Sequence, residues 1–226
     1  MIPATEPMAT KMMPEPDAAR LLAEKGIDYP GHGMAEDPEA AVRIAGDLGY
    51  PVVLKAVSPQ VVHKSDAGGV LVNLEDAAAV RAGFRRIQEN IKAYDPAAEL
   101  SGVLVCRQAP SGVEVIIGGL RDPVFGPTVM AGLGGVFIEL IRDVSFRVVP
   151  LDEAEARQML AELKGFPLLE GVRGGDRCDL DALCRSIRAV ADLLVARPDI
   201  REMDLNPLRV YETGVLALDA RIMVKA

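Results

Sequence analysis

The sequence predicts an α+β protein of two lobes, on three observations. Apolar runs of strand length come in neighbouring pairs, as hairpins require. Amphipathic helices stand between these pairs and not after every strand, which disfavours a single α/β layer with regular βαβ alternation. The predicted secondary structure changes from mostly helices to mostly strands near residues 104–109. We therefore expect a flexible lead-in over 1–14, a first lobe over 15–104 and a second over 105–226.

The first lobe is expected to combine three helices with two strands. Gly26 is a typical C-terminal stop, and Asp37 followed by Pro38 is a strong helix start, since proline suits the first helical position. His32 lies in a "YPGHG" segment that predicts a loop. The predicted elements are a helix over 15–26, a helix from Asp37 to Gly49, strands over 51–57 and 68–74, and a helix over 76–94.

The second lobe is expected to begin with short strands and to end with a strand pair. Asp152 with Glu155 three residues later forms a capping-box pattern, and Asp179 precedes the longest helical stripe of apolar residues in the chain. The predicted elements are strands at 102–108, 112–118, about 126–131 and about 135–141, helices starting at Asp152 and Asp179, and strands at 200–211 and 214–224.

Composition excludes several classes of function. The chain has 226 residues and a net charge of −8, which argues against a nucleic-acid partner or an anionic membrane held by bulk electrostatics. Its three cysteines form no CxxC pair, and an odd count fits a reducing compartment, so we expect a cytoplasmic protein. The N-terminal residues contain scattered prolines and no continuous apolar core, which predicts neither a signal peptide nor a membrane span.

Two residues of the first lobe stand out chemically. Lys55 interrupts an otherwise apolar strand, so it either pairs with a carboxylate, extends to the surface, or provides a fixed cation for a phosphate. His63 lies in "VVHKSDAGG", between two predicted strands, and on local grounds alone a turn-capping histidine is the simpler interpretation. Neither a Walker A loop nor a G-x-G-x-x-G fingerprint occurs in the sequence.

The second lobe adds polar residues within apolar strands. Glu114 requires a specific partner, for which Arg107 or Arg121 would serve. In "MDLNPLRV", Asp204 and Asn206 project from the same face of a strand, and a hairpin would bring Asp219 of the next strand toward it. Oxygen ligands on strands suit Mg²⁺ carried with phosphates, whereas any one of these residues alone fits a solvated hairpin.

Longer segments resemble a known family. They are "GYPVVLKAVSPQVVHKSDAGGVLVNL", "GVEVIIGGLRDPVFGPTVMAGLGGVFIEL", "DVSFRVVPL" and "EMDLNPLRV" with "ALDARI". From about residue 15 to the C-terminus they are similar to the ATP-grasp domain of nucleoside-diphosphate-forming acyl-CoA synthetases, in particular the β subunit of ADP-forming acetyl-CoA synthetase, which is related to the succinyl-CoA synthetase β chain. The resemblance implies two α+β lobes with the nucleotide between them.

The resemblance also implies a reaction. Acyl-CoA, ADP and phosphate would be converted to acid, CoA and ATP through phosphohistidine, with ATP or ADP and Mg²⁺ bound here. A separate CoA-binding α subunit with its own phosphohistidine would be the partner, in an α2β2 assembly. No Rossmann-type CoA-binding domain occurs in this sequence, so this chain alone is not expected to make acyl-CoA.

Roles for individual residues follow from the same resemblance. His63 is the second phosphoryl carrier; Lys55 contacts the phosphates, Glu114 the ribose, and the backbone of Cys106, Arg107 and Gln108 the adenine. Asn206 and Asp219 are the Mg²⁺ ligands, with Asp204 in support or as a further ligand. Further phosphate-binding candidates are the residues Lys64, Gly134, Gly135 and Arg147.

Three alternatives stay open at this point. The chain could be a nucleotide-sensing or regulatory module that keeps the fold without catalysis. Its partner could instead be a protein acyltransferase, because similar ATP-grasp domains occur in such fusions. Finally, His63 could position a phosphoryl group without carrying it covalently.

Overall fold

The computed structural model describes residues 9–61, 63–135, 142–172 and 177–226. In chain order its elements are β1 Thr10–Met12, α1 Glu15–Ala23, β2 His32–Ala35, α2 Pro38–Leu48, β3 Val52–Val57, β4 Val70–Leu74, α3 Ala77–Tyr94, β5 Gly102–Arg107, β6 Val113–Asp122, β7 Gly126–Leu133, β8 Val144–Val148, α4 Glu153–Ala161, α5 Phe166–Leu169, α6 Leu180–Ala196, β9 Ile200–Val210, β10 Val215–Ala217 and β11 Ala220–Lys225.

The chain forms two compact units whose limits differ from the predicted lobes. The larger unit comprises Met1–Tyr29 and Ser111–Ala226, and the smaller comprises Pro30–Pro110. Helix α1, expected in the first lobe, therefore belongs with the C-terminal half. The physical reason is burial: Ala18 and Leu22 of α1 are fully buried in the core that the larger sheet forms with its helices.

The smaller unit is an antiparallel sheet covered on one face by helices. Its strand order is β2-β5-β3-β4. Alternate residues of the central strands, such as Leu54 and Val105, are buried in the same core as Phe84 and Ile87 of α3. Loss of the Phe84 ring would cost about 3–5 kcal/mol of stability. This core fixes which face of β3 and β5 remains for other side chains.

Helix α2 begins and ends with the capping residues that the sequence predicts. Asp37 Oδ1 accepts the backbone N–H groups of Glu39 and Ala40, each at 2.8 Å. Pro38 occupies the first helical position, and Gly49 ends the helix with φ 82° while its N–H binds the Ala45 carbonyl. Such a side-chain cap contributes about 1 kcal/mol.

The larger unit contains a mostly antiparallel sheet with helices packed on one face. Among the described residues seven strands take part, in the order β1-β11-β9-β6-β7-β8, with β10 beside β9. Gly119 of β6 lets α6 approach closely, because a Cβ there would lie 3.0 Å from side-chain carbons of Val190 and Leu194. The odd-numbered residues of β6 thus face α6, and the even-numbered ones lie on the opposite face, called the open face because these helices do not cover it.

The capping signals of the larger unit are confirmed. Asp152 and Glu155 form a complete capping box at α4. Asp179 caps α6 by accepting the Ala182 N–H at 2.9 Å, and its other oxygen accepts the Gly214 N–H at 2.9 Å. Those bonds lower the pKa of Asp179, the Ala182 bond most strongly. None of the helices that the structure describes has the length and apolar character of a membrane span.

Several predicted elements differ from the structure. Thr10–Met12, placed in the flexible lead-in, is strand β1, because it pairs with β11 along its otherwise open edge. His32 begins strand β2, and neither β8 nor α5 was predicted. The predicted single strand at 214–224 is divided into β10 and β11. Most of the strand predicted at about 135–141 lies outside the described residues.

Candidate functional site

Lys55 lies on the face of the smaller sheet opposite its helices. It stands on β3, between Leu104 of β5 and Val70 of β4 in register, while its neighbours Leu54 and Ala56 face the core. Its side chain is only 7% exposed. A buried ammonium group is costly unless it is paired, so this position requires polar or anionic groups on that face of the sheet.

The segment Cys106–Gln108 ends strand β5 beside the same face. Cys106 pairs in register with Val53 of β3 and is 2% exposed. The N–H groups of Arg107 and Gln108 donate to the carbonyls of Gly31 at 2.8 Å and Pro51 at 3.1 Å. The backbone N–H groups of Arg107 and Gln108 are therefore already used within the protein. An adenine base at this segment would have to bind backbone carbonyl oxygens instead.

The side chains of Arg107 and Gln108 form hydrogen bonds with neighbouring backbone groups. Arg107 Nε donates to the Leu48 carbonyl at 2.8 Å, so the guanidinium caps the C-terminus of α2. Gln108 Oε1 accepts the backbone N–H of Asn73 at 2.7 Å. These contacts fix the end of β5 against α2 and β4.

His63 is exposed at the start of a tight turn between β3 and β4. The His63 carbonyl accepts the Ala67 N–H at 3.3 Å, and the carbonyl of the half-buried Lys64 accepts the Gly69 N–H at 2.7 Å. Gly68 has φ 62°, and Asn90 on α3 donates to its carbonyl at 2.8 Å. The glycine-flanked loop predicted here is thus an ordered turn that presents an imidazole to solvent.

Glu114 is paired with a residue that the sequence did not suggest. Glu114 of β6 and Arg209 of β9 are directly opposite in register, and Arg209 donates to Glu114 Oε1 from Nη2 at 2.8 Å and from Nε at 3.1 Å. Neither of these two bonds uses Oε2. The predicted partners bind elsewhere: Arg107 caps α2, and Arg121 donates to the Ile200 carbonyl at 2.9 Å.

The glycine pair after β7 lies beside Glu114. The Gly134 N–H donates to the Glu114 carbonyl at 2.7 Å, and a Cβ on Gly134 would lie 3.1 Å from Glu114 atoms. Gly135 has φ 63°, a conformation that favours glycine. Close backbone approach therefore explains Gly134, and backbone conformation explains Gly135.

The structure brings Asn206 and Asp219 together as the predicted hairpin requires. The Asn206 N–H donates to the Asp219 carbonyl at 3.2 Å, and the exposed Asn206 side chain alternates with buried Leu205. Asp219 Oδ1 also accepts the Ala220 N–H at 3.0 Å. Asp219 lies in the connection between β10 and β11 and not on the next strand as predicted, because β11 begins only at Ala220. The two residues are nevertheless adjacent.

Asp204 is on the same open face, one step further along β9. It stands between Gly118 of β6 and Arg221 of β11 in register. Within the described residues, no group of three or more His, Cys, Asp or Glu side chains is placed to hold a metal ion. An amide and one or two carboxylates fit Mg²⁺ that is held largely by phosphates and water.

Arg147 does not have the surroundings expected of a phosphate ligand. Its guanidinium forms a two-pronged ion pair with Glu162, with N–O distances of 2.6 and 3.0 Å. Ser145 donates to the same carboxylate at 2.6 Å. Arg147 and then Ser145 lower the pKa of Glu162, and Glu162 in turn raises the pKa of Arg147. No local pattern in the sequence predicts this pair, because Glu162 ends a helix 15 residues away.

A comparison with protein families identifies the domain to which these residues belong. Residues 6–224 match the model of the ATP-grasp domain, which is nearly the whole chain. The chain belongs to the ATP-grasp family. The α+β fold predicted from the sequence and from the resemblance is thereby confirmed.

Two relatives show which ATP-grasp proteins this chain is similar to. The chain is 46% identical to subunit beta of ADP-forming acetate–CoA ligase I from Pyrococcus furiosus, over 93% of this chain and 90% of that one. It is 42% identical to ADP-forming acetate–CoA ligase I of Archaeoglobus fulgidus, over 90% of this chain but 30% of the relative. The same domain thus occurs as a separate subunit and as part of a longer chain.

A solved ATP-grasp structure is similar throughout. Dinucleotide forming acetyl-coenzyme A synthetase 1 of Ca. Korarchaeum cryptofilum, in complex with coenzyme A and Ca-AMPCP, has a TM-score of 0.92 and 49% identity, covering 95% of this chain and 93% of that one. A second complex of that protein holds Mg-AMPPCP, with a phosphohistidine segment pointing towards the nucleotide binding site. Its TM-score is 0.81 at 47% identity, with the same coverage.

Proposed function

We propose that this chain is the nucleotide-binding β subunit of an ADP-forming acyl-CoA synthetase, acting as an acid–CoA ligase with acetate as the first substrate to test. The observation that carries the proposal is the 46% identity over 93% of the chain to a relative named as such a subunit. That relative is matched over 90% of its own length, so no large part of it lacks a counterpart here.

The nucleotide would be bound by groups that carry charge or fixed polarity. Lys55 would neutralise phosphate oxygens, Glu114 would accept a ribose hydroxyl, and carbonyls of the Cys106–Gln108 segment would contact adenine. Phosphoryl transfer depends on positioning and charge neutralisation more than on covalent help from protein, so these roles suffice for binding and orientation. The Gly134–Gly135 pair and Lys64 are further phosphate-binding candidates, whereas Arg147 is already committed to Glu162.

Asn206 and Asp219 would hold Mg²⁺, with Asp204 in support. Their fit is supported by the backbone bond of 3.2 Å that keeps the two residues adjacent. When bound, Mg²⁺ would neutralise charge on the nucleotide phosphates. The protein side chains would supply only part of the coordination, which is usual for Mg²⁺ bound with a nucleotide.

His63 would carry the phosphoryl group between the partner and ADP. A neutral ring nitrogen attacks the phosphorus of the partner's phosphohistidine; a new N–P bond forms and the old one breaks, returning its electron pair to the partner's ring. A terminal oxygen of ADP then attacks the same phosphorus, an O–P bond forms, and His63 recovers its electron pair. The exposed position of His63 on a turn supports this role, because the ring must meet two reactants in succession.

The partner would be a CoA-binding α subunit that makes the acyl phosphate, in an α2β2 assembly in the cytoplasm. The longer Archaeoglobus relative, in which the matched region is 30% of the chain, supports a partner of this kind. The acyl group would be handled mainly by that partner.

The test separates binding from turnover. The purified chain should bind Mg-ADP in calorimetry, and should form ATP from acetyl-CoA, ADP and phosphate only after the CoA-binding chain is added. Binding without turnover in the presence of the partner would indicate a nucleotide sensor. Acetyl-CoA turnover by the purified chain alone would contradict the subunit assignment.

A further inference from the structure

We propose that the open face of the larger sheet carries the docking surface for the CoA-binding partner chain. The surface, called the hairpin patch, consists of five apolar residues: Leu120, Val124, Phe125, Phe146 and Val148. Their exposed fractions run from 42% for Leu120 to 81% for Val124. The inference rests on the proposed function, which supplies the partner, and adds where that partner binds.

Strand register places Leu120, Phe146 and Val148 on one face, and Val124 and Phe125 lie in the turn that joins β6 to β7. Leu120 of β6 and Val148 of β8 both stand opposite Thr128 of β7, and paired residues in an antiparallel sheet point the same way. Phe146 stands opposite Met130 on the same face. Single exposed apolar residues are ordinary on protein surfaces, but a contiguous cluster of large ones marks an interaction site.

The tip of the patch is held in place while its side chains face solvent. Asp122 Oδ1 accepts the N–H groups of Val124 at 2.7 Å and Phe125 at 2.8 Å. Gly126, with φ 77°, then returns the chain into β7. Two apolar side chains are therefore presented on an ordered turn, which reduces the conformational entropy lost on binding.

The same face leads from the patch to the candidate Mg²⁺ ligands. One row of register partners runs from Phe146 through Met130 and Gly118 to Asp204. Adjacent strands are about 4.8 Å apart, so Phe146 and Asp204 are separated by roughly 14 Å across the sheet. A chain docked on the patch would lie on the face where its phosphohistidine must deliver a phosphoryl group.

The existence of fused relatives explains why a separate subunit needs such a surface. When both parts belong to one polypeptide, as in the Archaeoglobus relative of which this region is 30%, the link keeps them at high effective concentration. Without that link, association depends on the contact surface alone, and the buried centre of such interfaces is rich in aromatic and other apolar side chains. A CoA-binding chain with an apolar surface is the occupant to which the patch is suited.

The experiment compares patch variants with a matched control in the same unit. Val124→Ser and Phe125→Ser are made singly and together, and Val195→Ser on α6 is the control because Val195 is 59% exposed away from the patch. Affinity for the CoA-binding chain is measured by calorimetry, and self-association by analytical ultracentrifugation. The double variant should bind the partner about 100-fold more weakly, as expected for interface hot spots, while the control stays within twofold.

Two further readouts separate docking from folding and from the nucleotide site. Melting temperature and Mg-ADP affinity of the isolated variants should match the wild type, and turnover should recover at saturating partner concentration. Wild-type partner affinity in the double variant would overturn the proposal. So would self-association of the isolated chain that the double variant abolishes while partner binding persists, since the occupant would then be a second copy. A wild-type chain that binds no Mg-ADP would instead refute the proposed function.

Discussion

The β9–β11 hairpin and the His63–Gly69 turn hold their polar side chains in opposite ways. In the hairpin, Asn206 of β9 and Asp219, just before β11, lie over a buried core and are joined through the backbone. In the turn, His63 is exposed, and the ordered contacts are made by backbone groups and by Asn90 at Gly68. Strands suit groups that must keep a fixed position, whereas a turn suits a side chain that must meet two reactants.

The same comparison applies to the proposed roles. Residues expected to hold nucleotide and Mg²⁺ lie on or beside strands, and the residue expected to be phosphorylated lies outside them. Variants in the hairpin should therefore change affinity, and variants in the turn should change transfer.

The largest effect is expected from His63→Ala. ATP formation with the partner present should fall by roughly 10³-fold or more, because removal of a covalent nucleophile removes most of the rate enhancement. Mg-ADP affinity should stay within twofold. Quenched-flow assays with acetyl-CoA, ADP and radiolabelled inorganic phosphate, together with calorimetry, measure the two quantities.

The control for His63 is the neighbouring Ser65→Ala, in the same exposed turn. Its turnover should remain near the wild-type rate. An acid-labile, base-stable phosphoryl label on the wild type that disappears in His63→Ala would identify the carrier. Unchanged turnover in His63→Ala would leave the histidine without a transfer role and would remove the contrast between turn and hairpin.

Asp219→Asn should weaken Mg-ADP binding by about 10- to 100-fold, because a carboxylate is lost next to the metal. Catalytic rate at saturating Mg-ADP should change less. Asp204→Asn is the matched comparison on the same sheet face. A larger effect from Asp204→Asn than from Asp219→Asn, measured as Mg²⁺ dependence of ADP affinity, would exchange the two predicted roles.

Gly68→Ala should destabilise the protein by about 2 kcal/mol in urea unfolding. Roughly 1 kcal/mol or more comes from the left-handed backbone and about 1 kcal/mol from the displaced Asn90 hydrogen bond, since a Cβ would lie 2.7 Å from Asn90 Nδ2. Gly26→Ala is the control: its φ is 76°, but a Cβ there would meet nothing within 4 Å. Equal losses in the two variants would show that the hydrogen bond from Asn90 to Gly68 does not stabilise the His63 turn.

The smallest expected effect is on the free energy of unfolding, through Asp179, which connects the start of α6 to Gly214 before β10. Asp179→Asn keeps one acceptor at the start of α6 but removes the charge and the second acceptor oxygen, and should cost roughly 1–2 kcal/mol at pH 7. The folded pKa of Asp179 is lowered below its usual 3.8, so its stabilisation is present above that value and is lost as pH falls through the folded pKa. Urea unfolding from pH 7 to pH 2.5 should show the two proteins converging in acid; a gap that is constant with pH would contradict the assignment.

Much of the fold was predictable because its signals are local. Asp37, Pro38 and Gly49 fix α2 within a dozen residues, and the Asp152–Glu155 capping box spans one helical turn. Asn206 and Asp219 were predictable as neighbours for a similar reason, since only 12 residues separate them and the chain between them folds back along β9. His63 and Lys55 were identified by residue type and family resemblance, and their chemical roles remain predictions.

The sequence by itself therefore determined the five longer helices of the described residues, the main strands and the residues able to carry charge. The tertiary structure decided which distant residues meet: Arg209 with Glu114, 95 residues apart, Arg147 with Glu162, and β1 with β11 at opposite ends of the chain. It also decided that α1 belongs to the C-terminal unit. The physical reason is range: helix caps and strand alternation act over a few residues, whereas strand order and core membership depend on how the whole chain closes.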